Sequence, residues 1–575
     1  MRILVKHFKR YRASCILSPL FKLLEASFEL TVPIIVAGMI DKGIATGDGS
    51  YIRSRALLLV IFAVVGFVSA ISAQYFAAYA ANGISSSLRM ELFRKLESLD
   101  AASYEKAGRA NLVTSLTSDV NQISSGINLF LRLLLRSPFI VFGACIMAFT
   151  IDLKSAMVFV ITIVILSCFV AFNLKLSIPA YKDTRKSLDD LIKKTDNSIS
   201  GVRVIRGYNR TDRDNKAFEA QSLRLSRFQR YSANISSWLN PVTISFINLA
   251  IIALIYMGYI EVNTGNLSTG AVVALYNYMS QILIELVKLA NLIISVSRAI
   301  ACVSRCEEIL DIEPGRDGDL ILSSPKTAHK VEFKDVSFTY EGNQEPSVED
   351  MSFVIEPGEK IGIIGRTGSG KSTIASLMAG MYEPASGEIT IDGMKVRDIS
   401  GVSKASSIGV ALQKTRMLSG SIRDNITLGR TGIDDGMIDR AAFLSCSDDI
   451  IASKEEGLDY QVSSLGTGLS GGQKQRIGIA RAICDNPGLL IFDDSTSALD
   501  SATEKRFIAN LDKLENSPTI IFISQKISTV RDCDRIFLIE DGRLTYAAPH
   551  EELIRISDTY KYFCSLQTVE GANED

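Results

Sequence analysis

Ile361-Gly362-Ile363-Ile364 runs straight into Gly365-Arg366-Thr367-Gly368-Ser369-Gly370-Lys371-Ser372-Thr373, and the reading of this stretch decides the fold of the C-terminal half of the chain. An apolar strand, a glycine-rich loop and a Lys-Ser pair opening a helix together make a phosphate-binding loop, because each part has a task on a nucleoside triphosphate. The glycines let backbone N–H groups curl around the β-phosphate. Lys371 can reach the β- and γ-phosphates, the Ser372 hydroxyl can hold magnesium, and the helix that begins here points its positive dipole end at the anion. The motif predicts nucleotide binding and by itself fixes no reaction.

At 575 residues the chain is too long for one ordinary domain, and at 47% hydrophobic with a mean hydropathy of +0.20 it is greasier than most soluble proteins. The grease is concentrated. Residues 56–88, 155–174 and 231–260 contain no charge, and each run is long enough for a hydrocarbon core that needs about 20 apolar residues. No such run follows residue 325. Six membrane helices are predicted, at 14–40, 56–82, 127–151, 155–175, 236–260 and 270–297. The connections 83–126 and 176–235 are long, polar and patterned as helix, and the second is crowded with Lys and Arg. By the excess of positive charge these loops and both termini are expected on the cytoplasmic side of an inner or plasma membrane. The basic N-terminus imitates a secretory signal, but its apolar segment continues through Lys22, Glu25 and Glu29, so an uncleaved first membrane helix is expected.

A net charge of −1 suggests no nucleic-acid partner, and nine cysteines placed in membrane segments or the C-terminal half fit a reducing cytosol without disulfides. Cys302 and Cys306 lie one helical turn apart. Zinc needs four ligands, and with only three histidines in the chain the pair reads as helix packing. Residues 311–328 form a connector rich in turn formers. Beyond it Val331–Phe338 alternates as an exposed strand, and buried-type runs at 361–364, 489–492 and 519–523 alternate with helical stretches, the pattern of an α/β domain with a largely parallel sheet. The expected organisation is a multidomain membrane protein: an all-α six-helix transmembrane domain over 1–310, a linker, and an α/β P-loop domain over 329–575.

Downstream of the P-loop lie Leu469-Ser470-Gly471-Gly472-Gln473 and then Leu489-Leu490-Ile491-Phe492-Asp493-Asp494, followed by Ser497-Ala498-Leu499-Asp500. That order resembles the nucleotide-binding domain of ATP-binding cassette (ABC) transporters, and six helices with two long intracellular loops resemble the exporter-type, type IV members. The resemblance covers nearly the whole chain. Two loop stretches, 103–119 and 201–208, are similar to those bearing coupling helices, so helices near 107–117 and 201–208 are expected to touch nucleotide-binding domains. The resemblance implies ATP and Mg2+ as ligands. It makes Asp493 the Walker B carboxylate, Gln413 the Q-loop glutamine that contacts the metal together with Ser372, and Tyr340 the aromatic stacked on adenine. It also makes residues 469–473 a cap on the γ-phosphate of ATP bound by a second subunit, with Ser497–Asp500 as the D-loop, so the chain must dimerise.

Departures from the family pattern bear on mechanism. Asp494 stands where exporters carry a glutamate that positions the attacking water, and Gln525 replaces the switch histidine. Losing one methylene withdraws a carboxylate by over about 1 Å, while a general base must come within about 2.6–3.2 Å of its proton. An amide can donate a hydrogen bond but cannot become cationic. This chain's own site is therefore expected to bind ATP and hydrolyse it poorly, whereas its intact signature serves a competent site on the partner. The expected assembly is a heterodimeric exporter for amphipathic drugs, lipids or peptides, with a homodimer less favoured. An importer of the same fold and a nucleotide-gated regulatory or channel-like subunit are the alternatives. Glu25, Glu29, Arg132, Arg136, Glu285 and Lys288 interrupt apolar stretches. Interhelical ion pairing, or a position below the membrane surface in the extended helices, is the favoured reading of these charges over a polar cargo cavity. Cargo is not identifiable from the sequence.

Overall fold

The six apolar runs form six helices long and apolar enough to cross a membrane in the computed structural model, at Lys6–Ile44, Gly49–Glu97, Arg109–Ile151, Leu153–Ser200, Thr211–Asn263 and Thr269–Leu310. The structure describes residues 6–571 other than 314, 316, 317, 465 and 467. Pro314, Arg316 and Asp317 of the connector, and Leu465 before the signature, therefore lie outside the described residues. Every helix outruns the span predicted for it, because the polar loop segments continue the same helical pattern past the apolar run.

The second helix shows how such a segment sorts its faces. Val60, Ile61, Val64, Phe67, Val68 and Ile71 are exposed, while Ala73, Ala77, Ala80 and Ala81 are fully buried. Lipid makes outward burial of large side chains unnecessary, and small residues let helix backbones approach closely. The third helix is not continuous as expected. It is α-helical over Val120–Leu133 and again over Arg136–Ile151, with a turn between. Pro138 lies in the first turn of the second segment and has no N–H to give to the carbonyl four residues back, at Leu134, whereas Pro19, Pro33 and Pro179 lie within unbroken helices.

The chain divides into two compact units, Met1–Glu97 with Arg109–Ile312, and Ser98–Gly108 with Glu313–Asp575. The first differs from a contiguous 1–310 domain because the short helix Ala101–Ala107 belongs with the C-terminal unit. That unit is built on a six-stranded sheet in the order Arg543–Ala548, Arg535–Glu540, Lys360–Gly365, Thr519–Ile523, Leu489–Asp493, Ile408–Ala411, parallel except at the first edge. Its central strands are buried along their whole length, as the unbroken apolar runs require. An antiparallel sheet of Val348–Ile355, Val331–Phe338, Ser386–Ile391 and Met394–Lys395 packs beside it through Phe333, Phe353 and Phe537. Three parallel strands thus end together, and the loops after Gly365, Asp493 and Ile523 meet at one edge.

Candidate nucleotide site

Those three loops line a cleft of about 360 Å³. The P-loop enters it between the strand Lys360–Gly365 and the helix Lys371–Met378. Gly368 and Gly370 adopt φ of 86° and 94°, which L side chains rarely tolerate. At Gly370 a Cβ would stand 2.2 Å from the Ser347 carbonyl oxygen, and at Gly365 one would stand 2.2 Å from that of Ile539. The loop must be glycine to turn this tightly, and the turn is what points its N–H groups inward.

The Lys371 Nζ donates to the carbonyls of Gly365 and Arg366 at 2.8 and 2.6 Å, folded back over its own loop. Burial pulls its pKa below the usual lysine value, against the opposing pull of Asp493 and Asp494. Burial likewise raises the Asp493 pKa, and the Ser372 hydroxyl donating to its Oδ1 at 3.0 Å offsets this in part. Two ionisable groups held where burial disfavours their charges are suited to a charged ligand that supplies the missing counter-charge. A hydroxyl and a carboxylate in contact provide the hard oxygen donors magnesium takes, so the residues present fit Mg2+ with a triphosphate.

The Gln413 side chain reaches the cleft but donates its Nε2 to Asp494 Oδ2 at 2.9 Å, and no hydrogen bond joins it to Ser372 or Asp493 among the described residues. Asp494 sits at φ 46°, with its N–H on the Ile523 carbonyl at 2.7 Å and its own carbonyl accepting from the Ser497 hydroxyl. Gln525 follows Ile523 and also lines the cleft, as do Asn343, Ser347 and Ser524, which carried no motif signal. Tyr340 stands at the rim. Its hydroxyl lies 3.3 Å from that of Thr373, and its ring meets Tyr382 edge-on at 5.4 Å.

The signature lies outside this cleft, on another face of the same unit. Ser470 caps the helix Gly471–Ile483 in a reciprocal box with Gln473, and buried Leu469 anchors the approach. Gly472 faces the D-loop so closely that a Cβ would come within 2.7 Å of the Ala498 carbonyl oxygen, whereas one on Gly471 would meet only the Ala498 Cβ at 4.0 Å. Gln475 was not singled out by sequence. Its Oε1 accepts from the Ala498 N–H at 2.9 Å, and its Nε2 donates to the Gln413 carbonyl and the Ser497 hydroxyl, each at 3.3 Å. One buried amide therefore ties signature helix, D-loop and Q-loop together. The only available signal was a glutamine two residues after the signature, on the inward face of its helix.

The helix Ala101–Ala107 packs within this unit beside Glu341 and Tyr382. Asp100 caps it by accepting from the Ser103 N–H at 2.8 Å, and Gly108 at φ 74° ends it. Lys106 pairs with Glu341 at 2.9 Å, next to Tyr340, and the Tyr382 hydroxyl is pushed up to about 12 by burial and by neighbouring Glu105, with which it hydrogen-bonds. The contact helix was expected near 107–117, but Arg109–Thr114 belongs to the membrane unit. Gly108 breaks the chain just before it. The second loop helix, Val202–Gly207, buries no residue within its own unit.

In the membrane unit the interrupting charges are paired. Arg136 donates to Glu285 at 2.7 Å and to Glu29 at 2.6 Å, Ser137 donates to Glu285 at 2.7 Å, and Lys288 pairs with Glu285 at 2.8 Å. Glu25 pairs with Lys22 and stands 4.0 Å from Arg136. Arg136 and Glu285 are almost wholly buried, so their charges meet the demand for partners by joining the first, third and sixth helices. Arg132 stands apart from this set, its one hydrogen bond among the described residues being to Asn128 at 3.5 Å.

Comparison with known proteins agrees with both units. Residues 15–286 match the family described as ABC transporter transmembrane region, and 348–497 match that described as ABC transporter. The chain is 30% identical to the uncharacterized ABC transporter ATP-binding protein YfiB of Bacillus subtilis, over 98% of this chain and 97% of that one. It is 26% identical to an ATP-dependent lipid A-core flippase of Vibrio vulnificus, covering 93% and 91% of the two chains. The solved structure of a bacterial Atm1-family ABC exporter with ATP bound has the same fold, with a TM-score of 0.82 at 22% identity over 97% and 98% of the chains. With a six-helix membrane unit and one nucleotide-binding unit on a single chain, this protein belongs to the ABC transporter family as a half-transporter.

Proposed function

We propose that the chain is one half of a heterodimeric ATP-driven exporter whose own nucleotide site binds MgATP and hydrolyses it slowly, while its signature completes the partner's hydrolytic site. The observation that carries this reading is the composition of one cleft. Lys371, Ser372 and Asp493 are assembled there for a triphosphate and magnesium, yet the two positions that bear on the attacking water and the γ-phosphate hold Asp494 and Gln525. Asp494 is engaged by Gln413 instead of reaching outward. The signature Leu469–Gln473, by contrast, keeps its cap and its glycines. Tyr340 stacks on adenine, both termini are cytoplasmic, and the cargo is an amphipathic small molecule, lipid or peptide. That a protein of the same fold is an exporter and one relative is a lipid A-core flippase supports outward transport. Steady-state ATPase of the purified homodimer against the chain co-expressed with a half-transporter bearing Glu and His at these positions tests the reading. A rate at least tenfold higher for the pair is expected, and equal rates would overturn it. Cargo movement in sealed vesicles of known orientation tests direction.

A further inference from the structure

The loop that carries Gln525 is held from two sides, and only one of them belongs to the nucleotide motifs. On the sheet side, buried Glu504 accepts from the Thr496 hydroxyl at 2.9 Å and the Thr529 hydroxyl at 2.5 Å, and pairs with Lys526 at 3.2 Å. On the other side stands the C-terminal helix Asp558–Gly571. Its Gln567 donates from Nε2 to the Gln525 carbonyl at 2.7 Å and accepts at Oε1 from the Ile527 N–H at 2.7 Å. A primary amide pairing with the C=O of one residue and the N–H of the residue two further on satisfies the two backbone groups as a neighbouring strand would.

These bonds act beside an apolar contact, since Ile527 and Val530 share a buried cluster with Tyr560 of the helix and Phe563 packs against it. A cleft of about 920 Å³ opens between the loop and the helix, walled by Ile527, Thr529, Arg531, His550 and Gln567 among others. The helix is anchored further back, where fully buried Tyr560 hydrogen-bonds His550 at 2.7 Å. Near its end its polar contacts to the loop backbone are the two made by Gln567 among the described residues. Only glutamine meets all three needs here: a donor, an acceptor, and the length to reach across.

We infer that Gln567 is a positioning residue that fixes the backbone of Gln525 so that its side chain faces the γ-phosphate, making the C-terminal helix part of the device by which this chain distinguishes ATP from ADP. The inference rests on Gln525 being the γ-phosphate-facing position, and it holds for a homodimer or a heterodimer alike. A merely structural Gln567 would affect both nucleotides equally. A positioning one affects ATP alone, because ADP has no γ-phosphate.

The test uses the full-length transporter in nanodiscs, with photolabelling of this chain by azido-ATP and azido-ADP and hydrogen exchange of the Gln525–Ile527 backbone. Gln567→Leu is expected to speed Ile527 amide exchange and to weaken ATP labelling about fivefold, with ADP labelling unchanged. Gln567→Glu keeps the acceptor and loses the donor, and should fall between. Removal of residues 567–575 spares Tyr560 and should match Gln567→Leu. Equal losses of ATP and ADP, or unaltered exchange at Ile527, overturn the inference. Gln525→Ala separates the two readings. If it lowers ATP labelling selectively while Gln567→Leu does not, the clamp alone is wrong; if it has no selective effect, the switch reading fails and takes the clamp's role with it.

Discussion

At the scale of the residue, adjacent aspartates occupy opposite situations. Asp493 is buried, with burial raising its pKa, while Asp494 is held at the mouth by Gln413 and by a left-handed backbone. A carboxyl whose folded pKa is raised contributes stability below its unfolded value, and that contribution is lost as pH rises through the folded pKa. Burial therefore makes the charged form of Asp493 costly in the nucleotide-free protein, a cost that a bound cation would offset. Asp493→Asn should raise the nucleotide-free unfolding temperature at about pH 7, with each ~1 kcal/mol worth about 2–4 °C in a domain of this size, and the gain should shrink toward pH 4. Thermal melts with and without MgATP would show it, the mutant also losing the Mg2+-dependent shift. Asp494→Asn removes a base that is already withdrawn, so ATPase of the reconstituted pair should stay within about threefold. Replacing the partner's glutamate should lower it about 10²–10⁴-fold, the usual worth of general-base catalysis. Equal losses in the two mutants would return both sites to equal duty.

At the scale of the element, the signature helix separates its internal from its external duties. Gly472 and Gln475 face the D-loop and hold the unit together, while a Cβ on Gly471 would meet only the Ala498 Cβ, at 4.0 Å. Gly471→Glu should therefore leave the thermal stability of this chain nearly unchanged and sharply reduce ATPase of the pair, because its side chain intrudes where the partner's γ-phosphate is to be capped. Ser470→Ala loses the N-cap as well, for a stability cost of about 1 kcal/mol. Melting curves set beside ATPase rates distinguish the two. The helix Ala101–Ala107 was legible as a helix but not in its allegiance. Asp100, Ser103 and Gly108 fix its ends locally, whereas its place beside Tyr382 and Glu341 depends on strands more than 200 residues away.

At the scale of the whole molecule, closing a nucleotide sandwich moves membrane helices only through contacts that differ between states. The first loop helix is integrated with the nucleotide unit of its own chain through Lys106 and Glu105. The second exposes Val204 and Tyr208. Cysteine pairs placed between 202–207 and a nucleotide-binding unit in the assembled dimer should crosslink with a yield that changes with ATP. Yield indifferent to nucleotide would argue against this route of coupling.

The membrane helices and the strand–loop–helix of the P-loop were legible in the sequence, because long apolar runs and glycine-dependent turns are local demands that no distant contact can supply. The sequence also exposed Asp494 and Gln525 as departures, since each is a change of chemistry at a fixed place in a motif. Only the tertiary structure decided which charges pair in the membrane unit. Arg136 finds Glu285 and Glu29 across three helices, a choice set by packing rather than spacing. The fold also set the break before Arg136, since the prolines at 19, 33 and 179 leave their helices unbroken. It alone brought Gln475 to Ala498 and Gln567 to the backbone of Gln525, because a glutamine amide has no sequence signature of its own and takes its role from the backbone groups that folding sets within its reach.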